Sequence, residues 1–222
     1  MQGEALEILI SEQRFSTYDR MFNGNRIKAI EYYQLNIKIA QSLYPLLLYT
    51  EVSLRNLIHR SCTAHFQTDQ WFQFCEQEEQ IKKIEQVKKK IEAISSVLSS
   101  DKIVAELTFG FWCSLLNKRN AKHFWKPLQR AFPHLEASVK REKMASTINH
   151  IRKLRNRIFH YEPICNDLNV LRLNYLNMIN VLRWMNPELL TWIKSISAFE
   201  SLYEAASIMR QYQSEADVSY QK

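Results

Sequence analysis

Arg155, Asn156 and His160 form an R-N-x-x-x-H string inside IRKLRNRIFHYEPI, the stretch from Ile151 to Ile164, where charged side chains surround an apolar spine. A helix through this stretch sets Asn156 and His160 four residues apart on one face. Arg155 lies off that line, but its side chain is long. A guanidinium, an amide and an imidazole held close together suit gripping a phosphate and moving a proton beside it. The same residues also admit a reading without chemistry. Arg152, Lys153, Arg155 and Arg157 then make a solvated face, Ile151, Leu154 and Ile158 the buried stripe, and His160 favours the negative end of the helix dipole before Pro163. Spacing alone favours this second reading, because short motifs recur by chance.

Four blocks in order shift the balance. Leu43-Tyr44-Pro45-Leu46-Leu47, Glu51-Val52-Ser53-Leu54-Arg55-Asn56, Leu107-Thr108-Phe109-Gly110-Phe111-Trp112 and LRNRIFHYEP (Leu154 to Pro163) resemble the Abi-like (abortive infection, D/F type) branch of the HEPN superfamily. Arg155 to His160 resembles the R-x4-6-H motif of that superfamily, and the likeness covers roughly residues 5 to 185. The resemblance implies an all-α, multi-helix HEPN-like bundle with extra N- and C-terminal helices. It would be a single domain over residues 1–222, with an N-terminal helical part (1–42), a core (43–185) and C-terminal helices (186–222).

The activity implied is that of a metal-independent endoribonuclease. The RNA 2'-hydroxyl attacks the adjacent phosphodiester, leaving 2',3'-cyclic phosphate and 5'-hydroxyl ends. His160 suits the proton transfer, Arg155 suits the phosphate as charge develops on it, and Asn156 would orient one or the other. Lys153, Arg157 and Arg152 are candidates for flanking phosphates, with surface duty as the alternative. One imidazole does not serve readily as both acid and base in a single step. The superfamily answers by facing two motifs, so the resemblance implies a symmetric homodimer with a composite active site. It also implies a toxin of an anti-phage abortive-infection system, an RNA substrate, no cofactor, and in this branch an inhibitory small RNA as a possible partner. One departure is plain: some HEPN toxins carry a Tyr two residues after the motif His, as a target for nucleotidylation, whereas here Tyr161 comes directly after it and position 162 is Glu.

Two other constellations invite a site. Glu51, Arg55 and His59 recur every four residues along an otherwise apolar stretch; Glu51 and Arg55 either satisfy each other across one turn or support the motif. The resemblance favours support from Glu51, Arg55 and Asn56, packed near the motif helix. Arg55-Asn56-x-x-His59 is a second copy only in defective spacing. His59, Cys62 and His65 invite zinc, but their three-residue steps drift around a helix and bring no fourth ligand, so no metal is expected.

Composition is compatible with these readings. A 222-residue chain that is 46% hydrophobic and 12% aromatic can bury a sizeable core, and 3 Gly with 5 Pro leave few turns, so helices should dominate. A net charge of +7 fits a polyanionic partner, though it serves solubility equally. Cys62, Cys75, Cys113 and Cys165 are too widely spaced for a disulfide framework, so a reducing, cytoplasmic setting is expected. No basic region followed by a long apolar run opens the sequence, and the longest apolar stretch, Leu43 to Tyr49, is too short to span a bilayer. A soluble, unsecreted protein with no membrane partner is the expectation.

Taken in order, the pattern predicts a short helix over Glu4 to Ile10, then a helix capped by Ser11 and running to about Phe22, and a turn at Asn23-Gly24-Asn25. Helix resumes near Arg26 with Ile27, Ile30, Leu35 and Ile39 inward, breaks at Pro45, and continues to about Phe66. Residues 76–100 read as a charged helix with Ile81, Ile84, Val87, Ile91 and Ile94 on one stripe, its lysines more suited to solvation than to an RNA path. One helix should run from about Asp101 to Asn117, its aromatics serving the core in preference to base stacking. After a Lys118-Arg119-Asn120 loop and a short amphipathic segment, a long helix is predicted from about His134 to His160. Another runs on to about Trp184 with Leu168, Leu171, Leu176, Ile179 and Leu182 inward. Asn186-Pro187 begins a short helix, and Ser197-Ala198-Phe199-Glu200 an S-x-x-E start to the last. Two readings compete with the ribonuclease: a non-catalytic RNA-binding module, and a helical interaction protein.

Overall fold

The computed structural model describes residues 11–94 and 97–219, with side chains to residue 213; the short helix expected over Glu4 to Ile10 lies outside them. Among the described residues all regular structure is helical, so the class is all-α. The helices are α1 (Glu12–Met21), α2 (Arg26–Ser42), α3 (Tyr44–Phe66), α4 (Glu78–Ile94), α5 (Ser100–Glu106), α6 (Phe109–Ser114), α7 (Ala121–Arg130), α8 (Arg141–Phe159), α9 (Leu168–Met185), α10 (Pro187–Ile196) and α11 (Phe199–Ser219). Short 3-10 turns lie at Trp71–Phe74, Lys118–Asn120 and Ile164–Asn166. No helix among the described residues is long and apolar enough to cross a membrane.

The chain forms two compact units, neither continuous in sequence. The first takes Met1–Pro45, Leu154–Tyr175 and Ile196–Lys222. Here α2 packs against both α1 and α11. The turn before α2 is built as its residues demand: Asn23 (φ 50°) and Gly24 (φ 77°) take left-handed backbone, and the Asn25 side chain caps α2 by accepting from the Lys28 N–H at 3.2 Å. Ser11 does not cap α1 as expected. Its φ is 70°, away from the extended backbone from which a hydroxyl reaches the first turn. The buried stripe of α2 is Ala29, Tyr32, Asn36 and Ile39, whereas the expected Ile27 is 72% exposed. Ile30 and Leu35 are half-buried, because the partners of α2 meet it on the Tyr32 line. Pro45 falls at the second position of α3, where a missing N–H costs no helical bond. Tyr175 and Phe199 stack with ring centroids 4.1 Å apart, and the Tyr203 hydroxyl donates to the Leu168 carbonyl at 3.1 Å, closing α11 on the start of α9. Asp167 caps α9 by accepting from the Val170 N–H at 3.0 Å.

The second unit takes Leu46–Lys153 and Leu176–Ser195. Trp71 lies at its aromatic centre, with Trp112 and Phe124 each at 6.0 Å. Phe109, Phe111 and Trp112 are all buried, so these aromatics build core. The single helix expected from Asp101 to Asn117 is in fact two. Leu107 and Thr108 are extended, and the Leu107 carbonyl accepts from the Trp112 indole N–H at 3.2 Å. Burying that indole against a carbonyl satisfies both groups and breaks the helix. Helix α8 starts at Arg141, seven residues later than expected from His134. Residues 131–140 form turns, in which the His134 N–H donates to the Trp184 carbonyl at 3.0 Å and the Val139 N–H to Glu136 at 2.9 Å. In α4 only Ile84 and Ile91 of the predicted stripe are buried, while Ile81 and Ile94 are 44% and 79% exposed. Lys82, Lys83 and Lys88 pair with Glu78, Glu79 and Glu85, the solvated face that the charge pattern suggested. Along α9, whose residues up to Tyr175 belong to the first unit, Leu171, Ile179 and Leu182 are buried as expected, but Leu176 is 43% exposed and Leu168 half-buried. Tyr175 and Met178 take those inward places. Asn186 caps α10 through the Leu189 N–H at 2.9 Å.

Candidate functional site

The last turn of α8 carries the motif in the first unit. Arg155 and Asn156 are half-buried and His160 is exposed. The His160 N–H still donates to the Asn156 carbonyl at 2.9 Å, so helical register runs through both and keeps them on one face. The Arg155 guanidinium lies over the Phe159 ring, 4.5 Å from its centre. That contact fixes a long cation one residue to the side of the Asn156–His160 line.

Directly after His160 the helix comes to a tight stop. The Tyr161 N–H donates to Ile158 and the Glu162 N–H reaches back to Arg157, the crossed pair of a Schellman motif. Such a stop needs left-handed backbone at one residue. Here Tyr161 supplies it with φ 58°, where glycine is usual. Arg157 secures the reversal: its Nε donates to Glu162 Oε2 at 3.1 Å and an NH2 donor to the Pro163 carbonyl at 2.7 Å. Arg157, a sequence candidate for flanking phosphate, thus holds the backbone beside His160.

The segment after the stop is anchored from α2. Asn36 Oδ1 accepts from the N–H groups of Ile164 at 2.9 Å and Cys165 at 3.1 Å, and the Tyr32 hydroxyl donates to the Cys165 carbonyl at 3.0 Å. Burial pushes the Cys165 thiol up to about 12 and raises Tyr32, so both stay neutral. Beside this anchor runs a groove of about 690 Å³ between α2, the start of α3 and the turn, walled by Tyr33, Tyr44, Phe159 and Tyr161 with Asn36 in its lining. It falls within the roughly 300–1,000 Å³ of ordinary ligand sites. None of its α2 residues is among the candidates that the sequence offers. The signal was Asn36 itself, an amide in the middle of what became the buried stripe.

The remaining candidates belong to the second unit. Arg55 Nε donates to Asn56 Oδ1 at 3.2 Å. Arg152 is half-buried with its Nε on Asn149 Oδ1 at 3.0 Å, and Lys153 is exposed. Cys113 is pushed up to about 12 chiefly by burial, with the charge of Arg152 lowering and that of Glu51 raising its pKa. His59 accepts at Nδ1 from the Trp71 indole at 2.9 Å; burial lowers its pKa against the raising pull of Asp101 and Asp69. That bond gives His59 a core role beside Trp71. Among the described residues no group of three or more His, Cys, Asp or Glu is placed to hold a metal.

Searches against family models, curated proteins and solved structures found no match to this chain.

Proposed function

We propose that this chain is a metal-independent endoribonuclease of the HEPN type, acting as a cytoplasmic toxin in an anti-phage abortive-infection system. The observation that supports it best is the pairing of an exposed His160 with Asn156 and Arg155 on a helix end held by the Arg157 clamp. Preorganisation of this kind is what phosphoryl chemistry asks of a protein. In the reaction a base takes the 2'-hydroxyl proton, the 2'-oxygen bonds to phosphorus, the P–O5' bond breaks, and an acid returns a proton to the leaving O5'. Arg155 grips the non-bridging oxygens while charge builds on them. Asn156 orients the phosphate or the imidazole, and His160 moves one of the two protons.

The second proton needs a second group. His59, the other motif-like histidine, is half-buried and engaged by Trp71, which favours a homodimer in which a second copy supplies the partner imidazole. A small RNA that restrains the enzyme belongs to the same proposal.

The test is purified protein incubated with mixed RNA in EDTA, wild type beside His160→Ala, with the product ends analysed. Cleavage to cyclic-phosphate ends by wild type, lowered roughly 100- to 10,000-fold in the variant, is the expected result. Equal cleavage by both removes His160 from the chemistry. RNA binding without cleavage by either protein leaves a non-catalytic binding module, and neither binding nor cleavage leaves an interaction protein.

A further inference from the structure

We infer that the groove beside the motif is a nucleobase pocket, which seats an unpaired base of single-stranded RNA next to the phosphate held by Arg155 and His160. This rests on the ribonuclease reading and adds to it the part of the substrate that the site reads.

The walls have the right chemistry. Tyr44, Phe159 and Tyr161 are 55%, 48% and 77% exposed, an unusual grouping of large rings left in water around one groove. Tyr33, on the α2 side, is held edge-on by Tyr18 with centroids 5.2 Å apart, so its ring is set before anything binds. Exposed aromatic faces of this kind stack bases whatever their identity.

The lining adds a polar reader. Both backbone N–H groups that Asn36 meets are donors, which assigns the bonded atom as Oδ1 and leaves Nδ2 as the other end of the amide. Nδ2 makes no hydrogen bond among the described residues, although Asn36 is only 6% exposed and lines the groove. A fixed donor inside an aromatic slot matches an acceptor on a base edge, a carbonyl oxygen or a ring nitrogen. An apolar side chain from a protein partner would leave that donor unmet.

Charge completes the match. Phe159 and Tyr161 flank His160 in the chain, and the Arg155 guanidinium rides on the Phe159 ring, so the cation directed at phosphate touches one of the rings that wall the groove. Exposed Arg14 lines the groove as well. The acidic lining group, Glu162, is paired with Arg157 at 3.1 Å.

The experiment measures fluorescence anisotropy of labelled single-stranded rA, rC and rU oligomers and of a matched RNA duplex, in the His160→Ala background where cleavage is slowed. Tyr44→Ala, Tyr44→Phe and Asn36→Asp are added to that background, and each is also made in the active protein for mapping of cleavage sites. Single strands should bind tighter than the duplex. Tyr44→Ala should weaken single-strand binding about tenfold or more, and Tyr44→Phe should keep it within about twofold. Asn36→Asp retains the acceptor for Ile164 and Cys165 but loses the donor, so the base preference beside the cut should change while Tyr44-dependent stacking remains.

The failures separate. Tyr44-dependent binding of single strands without any cleavage by wild type sustains the pocket and overturns the ribonuclease. Cleavage that depends on His160, with Tyr44→Ala binding as the parent does, overturns the pocket and keeps the ribonuclease. A Tyr44→Ala protein that becomes monomeric in sedimentation with unchanged RNA affinity makes the groove a contact between copies, which also overturns the pocket. Absence of both binding and cleavage overturns both.

Discussion

Tyr161 is the residue at which local energetics and proposed chemistry meet. A non-glycine side chain in left-handed backbone costs about 1–2 kcal/mol, and a tyrosine that is 77% exposed recovers little of it by burial. The strain persists because Arg157 and the crossed backbone bonds fix the reversal around it. Tyr161→Gly should therefore raise stability, by about 0.5–1 kcal/mol after allowing for the freer unfolded chain, read as a higher urea midpoint with unchanged slope. The same variant removes a wall of the groove and should bind single-stranded RNA more weakly. A lower midpoint would mean that the tyrosine ring stabilises the turn by contacts outweighing its backbone cost.

At the scale of elements, the site depends on how α2 grips the segment after α8. Asn36 serves two backbone donors buried with it, so Asn36→Ala leaves both without a partner, at about 1–3 kcal/mol each. A loss of about 2–6 kcal/mol in chemical denaturation is expected, and a loss below about 1 kcal/mol would mean that water or a shift of the turn replaces the amide. Gly110 within α6 is a test with the opposite sign. A Cβ there would meet Thr108 Oγ1 at 3.7 Å, an ordinary contact, so Gly110→Ala should stabilise by about 0.5–1 kcal/mol through lower unfolded-state entropy. Thermal unfolding of the two proteins side by side checks it.

Over the whole molecule the prominent titration is that of His59, which serves the core around Trp71. Burial lowers its folded pKa below the ordinary 6.5, with Asp101 and Asp69 pulling the other way and failing to cancel it. Near and below pH 6.5 the unfolded chain then binds more protons than the folded one. The contribution of His59 is complete above that pH and is lost as pH falls through the folded value. Denaturation midpoints should drop on acidification from about pH 7 toward 5, and His59→Gln, which keeps an acceptor for the Trp71 indole, should flatten that drop. An unchanged slope in the variant would assign the acid sensitivity to other groups.

Much of this was legible in the sequence, for reasons that act locally. The Asn23-Gly24-Asn25 turn, the place of Pro45, the cap at Asn186 and the helical spacing of Asn156 and His160 depend on backbone preference within a few residues. Hydrophobic pattern announced helices but not their inward faces. Ile27, Ile81, Ile94 and Leu176 are exposed because a face becomes interior only where another element covers it, and the chain turns between α5 and α6 where an indole finds a carbonyl. For the site, the motif stood in the chain as a string. The groove beside it did not, since Asn36 and Ile164 are separated by 128 positions and their hydrogen bond exists only once α2 and the turn are folded together. Sequence alone determined the helical class and the motif; tertiary structure decided what stands next to it, because contacts between distant residues form only when the chain has paid their entropy of closure.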